Sequence, residues 1–222
     1  MECVKYIKYH LEHIICLGDD MKGRKNKIMK NLSIISQYKK SIPNRDIDSA
    51  INIAKKLIES LEIKKYPVPI VSILNDLGFS VFVTDIKDKN ISGFIAISPD
   101  YKDKFNTDKI IAVESTDTIG RQRFTMAHEF AHYLFDFNET NNATFFNTYD
   151  IEKSNTDEEA IPSRFAAEFL MPDFLFKKRF NELENLTYYE KINQLVDDFN
   201  VTTKAVKKRI EELNLQKVSD EQ

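Results

Sequence analysis

Arg123-Phe124-Thr125-Met126-Ala127-His128-Glu129-Phe130-Ala131-His132-Tyr133-Leu134-Phe135 carries the pattern H-E-x-x-H from His128 to His132. Two histidines four apart on a helix lie one above the other on the same face, because a turn takes about 3.6 residues. Two imidazoles so placed can hold one zinc ion. A glutamate beside the first can reach a water on that ion and take its proton. Glu129 is the only charged residue between Phe124 and Phe135. The helix is therefore expected to be largely buried, where a charge needs a partner or a metal. Ala127 and Ala131 are small and leave room for another segment. The competing reading is a core helix whose histidines bond to the backbone, and the spacing and apolar flanks favour the metal.

A catalytic zinc site takes a third protein ligand and keeps one position open. The other histidines, His10 and His13, and both cysteines, Cys3 and Cys16, lie near the N-terminus. The third ligand is then expected to be a carboxylate on a separate helix. The segment Asp157-Glu158-Glu159-Ala160-Ile161-Pro162-Ser163-Arg164-Phe165-Ala166-Ala167-Glu168-Phe169-Leu170-Met171-Pro172 offers one. Pro162 suits a first helical turn and Pro172 a stop. Glu159, Ser163, Ala166 and Leu170 share one face, whose small residues permit close packing on the H-E-x-x-H helix. Glu158 shares its face with Pro162, Phe165 and Phe169, which reads as core. The pattern favours Glu159 as ligand, with Glu158 as the alternative register. Glu168 reads as a solvated carboxylate or one that supports a ligand.

Arg123 to His132, followed by Arg164-Phe165-Ala166-Ala167-Glu168-Phe169-Leu170-Met171-Pro172, resembles the ImmA/IrrE family of zinc metallopeptidases over about residues 45 to 215. The resemblance implies an α+β, zincin-like fold: a small antiparallel sheet packed on helices, with a C-terminal helical, helix-turn-helix-like part. It places the zinc ligands on His128, His132 and Glu159, the last at the head of the family's E-x-E-A-N-x-F-A-A pattern. Ile161, Pro162 and Ser163 stand here where E, A and N are usual. The family's asparagine is expected to steady a ligand, and Ser163 is a shorter substitute. The resemblance also implies a substrate, a helix-turn-helix repressor whose cleavage derepresses a mobile element, a phage or a stress response.

At 222 residues and 42% hydrophobic, the chain can bury a sizeable core. Its net charge of −3 speaks against general affinity for nucleic acid or anionic membranes. The charge is uneven: residues 1–45 hold ten Lys/Arg and four Asp/Glu, a local excess of +6. Two cysteines without a spacing framework indicate a reducing compartment. No stretch approaches a membrane span, so the protein is expected to be cytoplasmic. Three parts are expected: a basic N-terminal extension at 1–45, the metallopeptidase domain at 46–180 and the helical region at 181–222.

Asp46 is placed to cap a helix with an apolar stripe from Ile47 to Leu61. A second helix runs from about Ile70 to Leu77 and stops at Gly78. Phe79 to Thr84, Gly93 to Ile97 and Lys109 to Glu114 read as strands, expected to be antiparallel neighbours. Ser98 to Asp108 reads as a polar connector. Asn138 to Asp157 reads as a long polar loop with Phe145, Phe146 and Tyr149, beside the cleft. Thr187 to Phe199, a turn at Asn200-Val201-Thr202, and a helix from Thr203 resemble a helix-turn-helix. Lys204, Lys207, Lys208 and Arg209 decorate the second helix, and Glu211 and Glu212 blunt that charge.

The chemistry expected is peptide hydrolysis with one Zn2+ per chain and Glu129 as general base. Manganese or iron are other occupants for such a ligand set. With no third histidine in this half, the oxyanion donor is expected to be a Tyr, an Arg or a backbone group, with Tyr149 and Arg164 as candidates. An extended substrate would pair with a sheet edge, taken to be the Lys109–Glu114 strand. The partner is then a protein substrate. The alternative is a non-proteolytic regulator that binds DNA or a protein through its C-terminal helices. A component of a toxin-antitoxin-like pair is a third reading. An intact Glu129 weighs against pure binding, which needs no general base.

Overall fold

Asp46 starts the first helix, α1 (Ile47–Ser60), by accepting the Ser49 backbone N–H at 2.7 Å. The structure, a computed structural model, describes residues 15–16, 33, 35–36, 45–88, 90–137, 143–148 and 157–215. Ala50, Ile53, Ala54, Leu57 and Ile58 form the buried stripe of α1. A short helix, α2 (Ile70–Asp76), ends before Gly78, whose φ of +83° suits a residue without Cβ. Then the period changes from helical to alternating. The strands are β1 (Ile15–Cys16), β2 (Phe79–Thr84), β3 (Ile91–Ile97), β4 (Lys109–Glu114) and β5 (Ala143–Thr148).

These strands form one sheet in the order β1-β2-β4-β3-β5. β2 runs parallel to β4, while the other pairings are antiparallel. The sheet is therefore mixed, not the antiparallel one expected. β4 lies between β2 and β3 and is apolar on both faces: Ile110, Ile111, Ala112 and Val113 are all fully buried. The β2–β3 connector must then cross the end of β4. Glu114 anchors that crossing by accepting the Ile86 N–H at 2.8 Å.

Side chains alternate across the sheet. Phe79, Val81, Ile95, Ile97, Ile111 and Val113 join the main core, and Phe82, Phe94, Ala96, Ile110 and Ala112 form a second cluster behind it. The Ser98–Asp108 connector covers that second cluster. It folds into a 3-10 turn (Pro99–Tyr101) and a one-turn helix, α3 (Lys102–Phe105), which bring Tyr101 and Phe105 onto it.

The helix α4 (Ile119–Phe135) begins at Thr118, whose side chain accepts the Arg121 N–H. It packs across β3 and β4. A Cβ at Gly93 of β3 would lie 2.5 Å from Thr125 Cγ2 and 2.7 Å from Ala112 O, so the close approach of helix and strand requires glycine there. The next helix, α5 (Asp157–Leu170), packs on both α1 and α4. Its Phe165 and Phe169 stand with ring centroids 5.8 and 6.0 Å from Phe130 of α4. Pro162 lies inside α5, beyond its first turn, because the helix begins at Asp157. The chain continues through α6 (Asp173–Glu182), α7 (Tyr188–Phe199) and α8 (Thr203–Glu212). Leu195, Phe199, Val201, Val206 and Ile210 of this last part join the same core as α1, α4 and α5.

Two sequence readings change here. The span read as one long loop contains β5, paired antiparallel with β3. The Lys109–Glu114 strand, β4, is interior and offers no free edge, since both its sides are already paired.

Candidate metal centre

His128 and His132 are four residues apart on α4, which turns both rings to the same side. They are buried, as is the rest of the helix from Thr125 to Leu134. Ala127 and Ala131, both fully buried, let α5 come close, and the ring contacts of Phe130 set its register. That register brings Glu159 to the histidines. Glu159 Oε2 lies 3.1 Å from His128 Nε2, and the two Nε2 atoms are 3.2 Å apart. Among the described residues, His128, His132 and Glu159 form the one group of potential metal ligands, all within 4.8 Å of one another.

The far nitrogens of the rings are also occupied. His132 Nδ1–H donates to Asp136 Oδ2 at 2.6 Å. A carboxylate can only accept, so this bond leaves the Nε2 lone pair free to face the other ligands. Ser163 Oγ lies 3.3 Å from His128 Nδ1, where it can accept that ring's proton. The serine expected to stand in for the family's asparagine thus touches a histidine of the site.

Glu129 is fully buried beside this group, and neither of its oxygens has a full hydrogen bond among the described residues. Burial pushes its carboxyl up to about 8; His132 and the Ile95 backbone pull the other way, and Glu159 adds to the rise. Burial likewise holds His128 below the usual histidine range, against the pull of Glu159. For His132, burial opposes the charged ring, but Asp136, Glu129 and Glu159 together raise it. The hydrogen bond to His128 lowers Glu159.

Other predicted positions fall elsewhere. Glu168 is neither solvated nor near the histidines. It is 2% exposed, pairs with Arg209 and accepts the Asp173 N–H at 3.1 Å. Arg209 is buried to the same degree and also donates to Met171 O, so it is not one of the exposed cations of α8. Arg164 pairs with Glu212 of α8, which commits its guanidinium away from an oxyanion. Tyr149 and the side chains of Glu158, Phe145 and Phe146 lie outside the described residues, as do His10 and His13. Asp136 escaped the sequence reading. Its signal was the continuing i+4 spacing, His128, His132, Asp136, on one helical face.

A helix presenting two histidines and a buried glutamate, met by a carboxylate from a second helix beside a small mixed sheet, defines a zincin-like metallopeptidase domain. The peptidase family M78, described as the IrrE N-terminal-like domain, matches residues 74–211, and the chain belongs to this ImmA/IrrE family of metallopeptidases. No curated protein matches the chain. Among the described residues no helix is long and apolar enough to cross a membrane.

Proposed function

We propose that the chain is a zinc-dependent endopeptidase with zinc held by His128, His132 and Glu159 and with Glu129 as general base. Its substrate is a specific cytoplasmic protein, a helix-turn-helix transcriptional repressor, in an anti-repressor role in a mobile element, a phage or a stress response. The observation that carries the hydrolytic reading is Glu129, a fully buried carboxylate without a full hydrogen bond, set beside converging nitrogen and oxygen donors. A buried charge so placed is costly unless a cation or a proton balances it.

The donor set fits zinc. Tetrahedral zinc with bonds of about 2.0–2.1 Å separates its ligand atoms by about 3.3 Å. The separations here are 3.1 and 3.2 Å. When bound, zinc supplies Lewis-acid chemistry: it lowers the pKa of a water towards about 7 and polarises a peptide carbonyl. The residues of the chain do the rest. Asp136 and Ser163 orient the two rings. Glu129 takes the proton of the attacking water and passes it to the leaving amine, and a bound cation offsets the burial that otherwise holds this proton on. An extended substrate pairing with this side of the sheet would meet β5, the strand outside β3.

The repressor is the part of this reading carried by family membership. Incubating the purified chain with a helix-turn-helix repressor encoded beside its gene, with and without chelator, tests it. Cleavage abolished by chelator is expected; a repressor left intact with zinc present would overturn it. Glu159→Ala is expected to lower the zinc content measured by atomic absorption, and unchanged stoichiometry would remove Glu159 from the ligand set.

One observation favours a second reading, binding to DNA through α7 and α8. Lys204, Lys207 and Lys208 remain exposed along α8, after a three-residue turn in which Asn200 is left-handed with φ of 50°. A gel-shift titration with the repressor's operator decides it, since binding unaffected by Lys204, Lys207 and Lys208 replacement would exclude this helix.

A further inference from the structure

A guanidinium reaches the candidate metal centre from a segment ahead of the family match. Arg45 precedes Asp46, the cap of α1, and the matched region begins at residue 74. Arg45 Nη2 lies 3.0 Å from Asp136 Oδ1. The other oxygen of that carboxylate, Oδ2, takes the His132 Nδ1–H at 2.6 Å. Asp136 is nearly buried, its side chain 8% exposed, while that of Arg45 is 41% exposed. The arrangement is a chain of three groups, guanidinium, carboxylate and imidazole, running from solvent to the ligand nitrogen. Its origin is clear in the fold. α1 packs along α5, so the residue that opens α1 stands over the end of α4, beside the helix that carries Glu159.

Three carboxylates, Glu129, Asp136 and Glu159, crowd two imidazoles here. Asp136 Oδ2 fixes the His132 ring, and the Arg45 guanidinium at the other oxygen, Oδ1, holds the carboxylate in that orientation. We propose that Arg45 is a positioning residue of the metal centre: through Asp136 it holds the His132 ring with Nε2 toward the metal. Arg45, which lies ahead of the matched region, is thereby part of the site. The proposal rests on the reading that His128, His132 and Glu159 hold zinc.

The test is zinc affinity of the full-length chain, measured by competition with a chromophoric chelator. Asp136→Ala is expected to weaken zinc about 10- to 100-fold, the usual effect of removing a group that orients a ligand. Arg45→Ala is expected to weaken it about fivefold, the size of an ion pair with one exposed partner. Arg45→Lys should recover most of that loss. The gap between wild type and Arg45→Ala should narrow near 1 M salt, where the screening length is about 3 Å. A purely structural role for Arg45 would show neither the lysine rescue nor the salt dependence. Nitrogen NMR of the His132 ring should report a protonated Nδ1 in wild type and a mixture of tautomers in Asp136→Ala. Asp136→Asn, which keeps the side-chain shape, should weaken zinc as well and serves if Asp136→Ala does not fold. Arg45→Ala with wild-type affinity at low salt would overturn the proposal. If wild type binds zinc no better than His128→Ala or Glu159→Ala, the zinc reading itself falls, which is a different result.

Discussion

Breaking the Glu168–Arg209 pair should destabilise the whole domain while sparing the metal centre. Both residues are 2% exposed, so neither charge can turn to water if its partner is removed. Arg209→Met leaves the Glu168 carboxylate with the Asp173 N–H at 3.1 Å as its remaining bond. It also frees Met171 O, which Arg209 Nε reaches at 3.1 Å. Removing one partner of a buried pair costs about 3–5 kcal/mol. With a urea slope of about 2 kcal/mol per M, the unfolding midpoint should fall by about 2 M. The loss is a large share of a total stability of about 5–15 kcal/mol. Glu168→Leu combined with Arg209→Met removes both charges and should recover most of the loss, because Glu212, which Arg209 Nη1 also reaches at 3.5 Å, keeps Arg164 as its partner. Urea unfolding followed by circular dichroism measures all four species of the cycle. A cost under about 1 kcal/mol for Arg209→Met, or a double variant as unstable as the sum of the singles, would refute the role of this pair. Glu168 lies nine residues, about 13 Å, along α5 from Glu159. Zinc affinity of the folded variant should therefore stay near wild type.

Glu129→Gln should retain zinc yet lose about 10²- to 10⁴-fold in cleavage rate, the usual contribution of a general base; a wild-type rate would remove Glu129 from that role. Glu114→Gln tests a pH dependence. Burial pushes the Glu114 carboxyl up, but the Thr116 and Ile86 N–H groups, each at 2.8 Å, and neighbouring hydroxyls bring it below the ordinary glutamate value. A lowered folded value means stability present above the unfolded value and lost as pH falls through the folded one. The substitution should thus cost about 1.5–3 kcal/mol at pH 7, and progressively less as the pH falls below the ordinary glutamate range. A cost that does not change with pH would contradict this account. Gly120→Ala sets helix propensity, a gain of about 1 kcal/mol, against a clash. The added Cβ would stand 2.6 Å from Val201 C and 2.8 Å from Val201 Cα, both backbone, so overpacking of about 1–3 kcal/mol should win and lower the melting temperature. A raised melting temperature would show that the α7–α8 turn yields.

Much of the site was legible because its information is local. The i, i+4 spacing of His128 and His132 settles which helix face they share, and the apolar flanks settle that this face is buried. The small Ala127 and Ala131 already announced a close neighbour, and α5 fills that place. The family was legible for the same reason, since its two blocks are short and contiguous. The long-range pairings were not. β2, β3 and β4 could each be read as strands, but the order β2-β4-β3, with β2 parallel to β4, is a long-range pairing. β3 and β4 are both buried along nearly their whole length, a loop and α3 supply the second cover, and nothing in a strand's own pattern says which neighbour it will take.

Charges show the same division. The sequence alone sufficed for the H-E-x-x-H helix, the carboxylate on a following helix and the stretches that become β2, β3, β4, α1, α7 and α8. Only the tertiary structure decided what each remaining charge does. Glu168, Arg209 and Arg164 looked available for solvent, DNA or an oxyanion, and ion pairs between α5 and α8 consume them. Asp136 and Arg45, unremarkable in the chain, meet at the far nitrogen of His132. The physical reason is that period and propensity act between neighbours in sequence, whereas the partner of a buried charge is chosen by how whole helices stack.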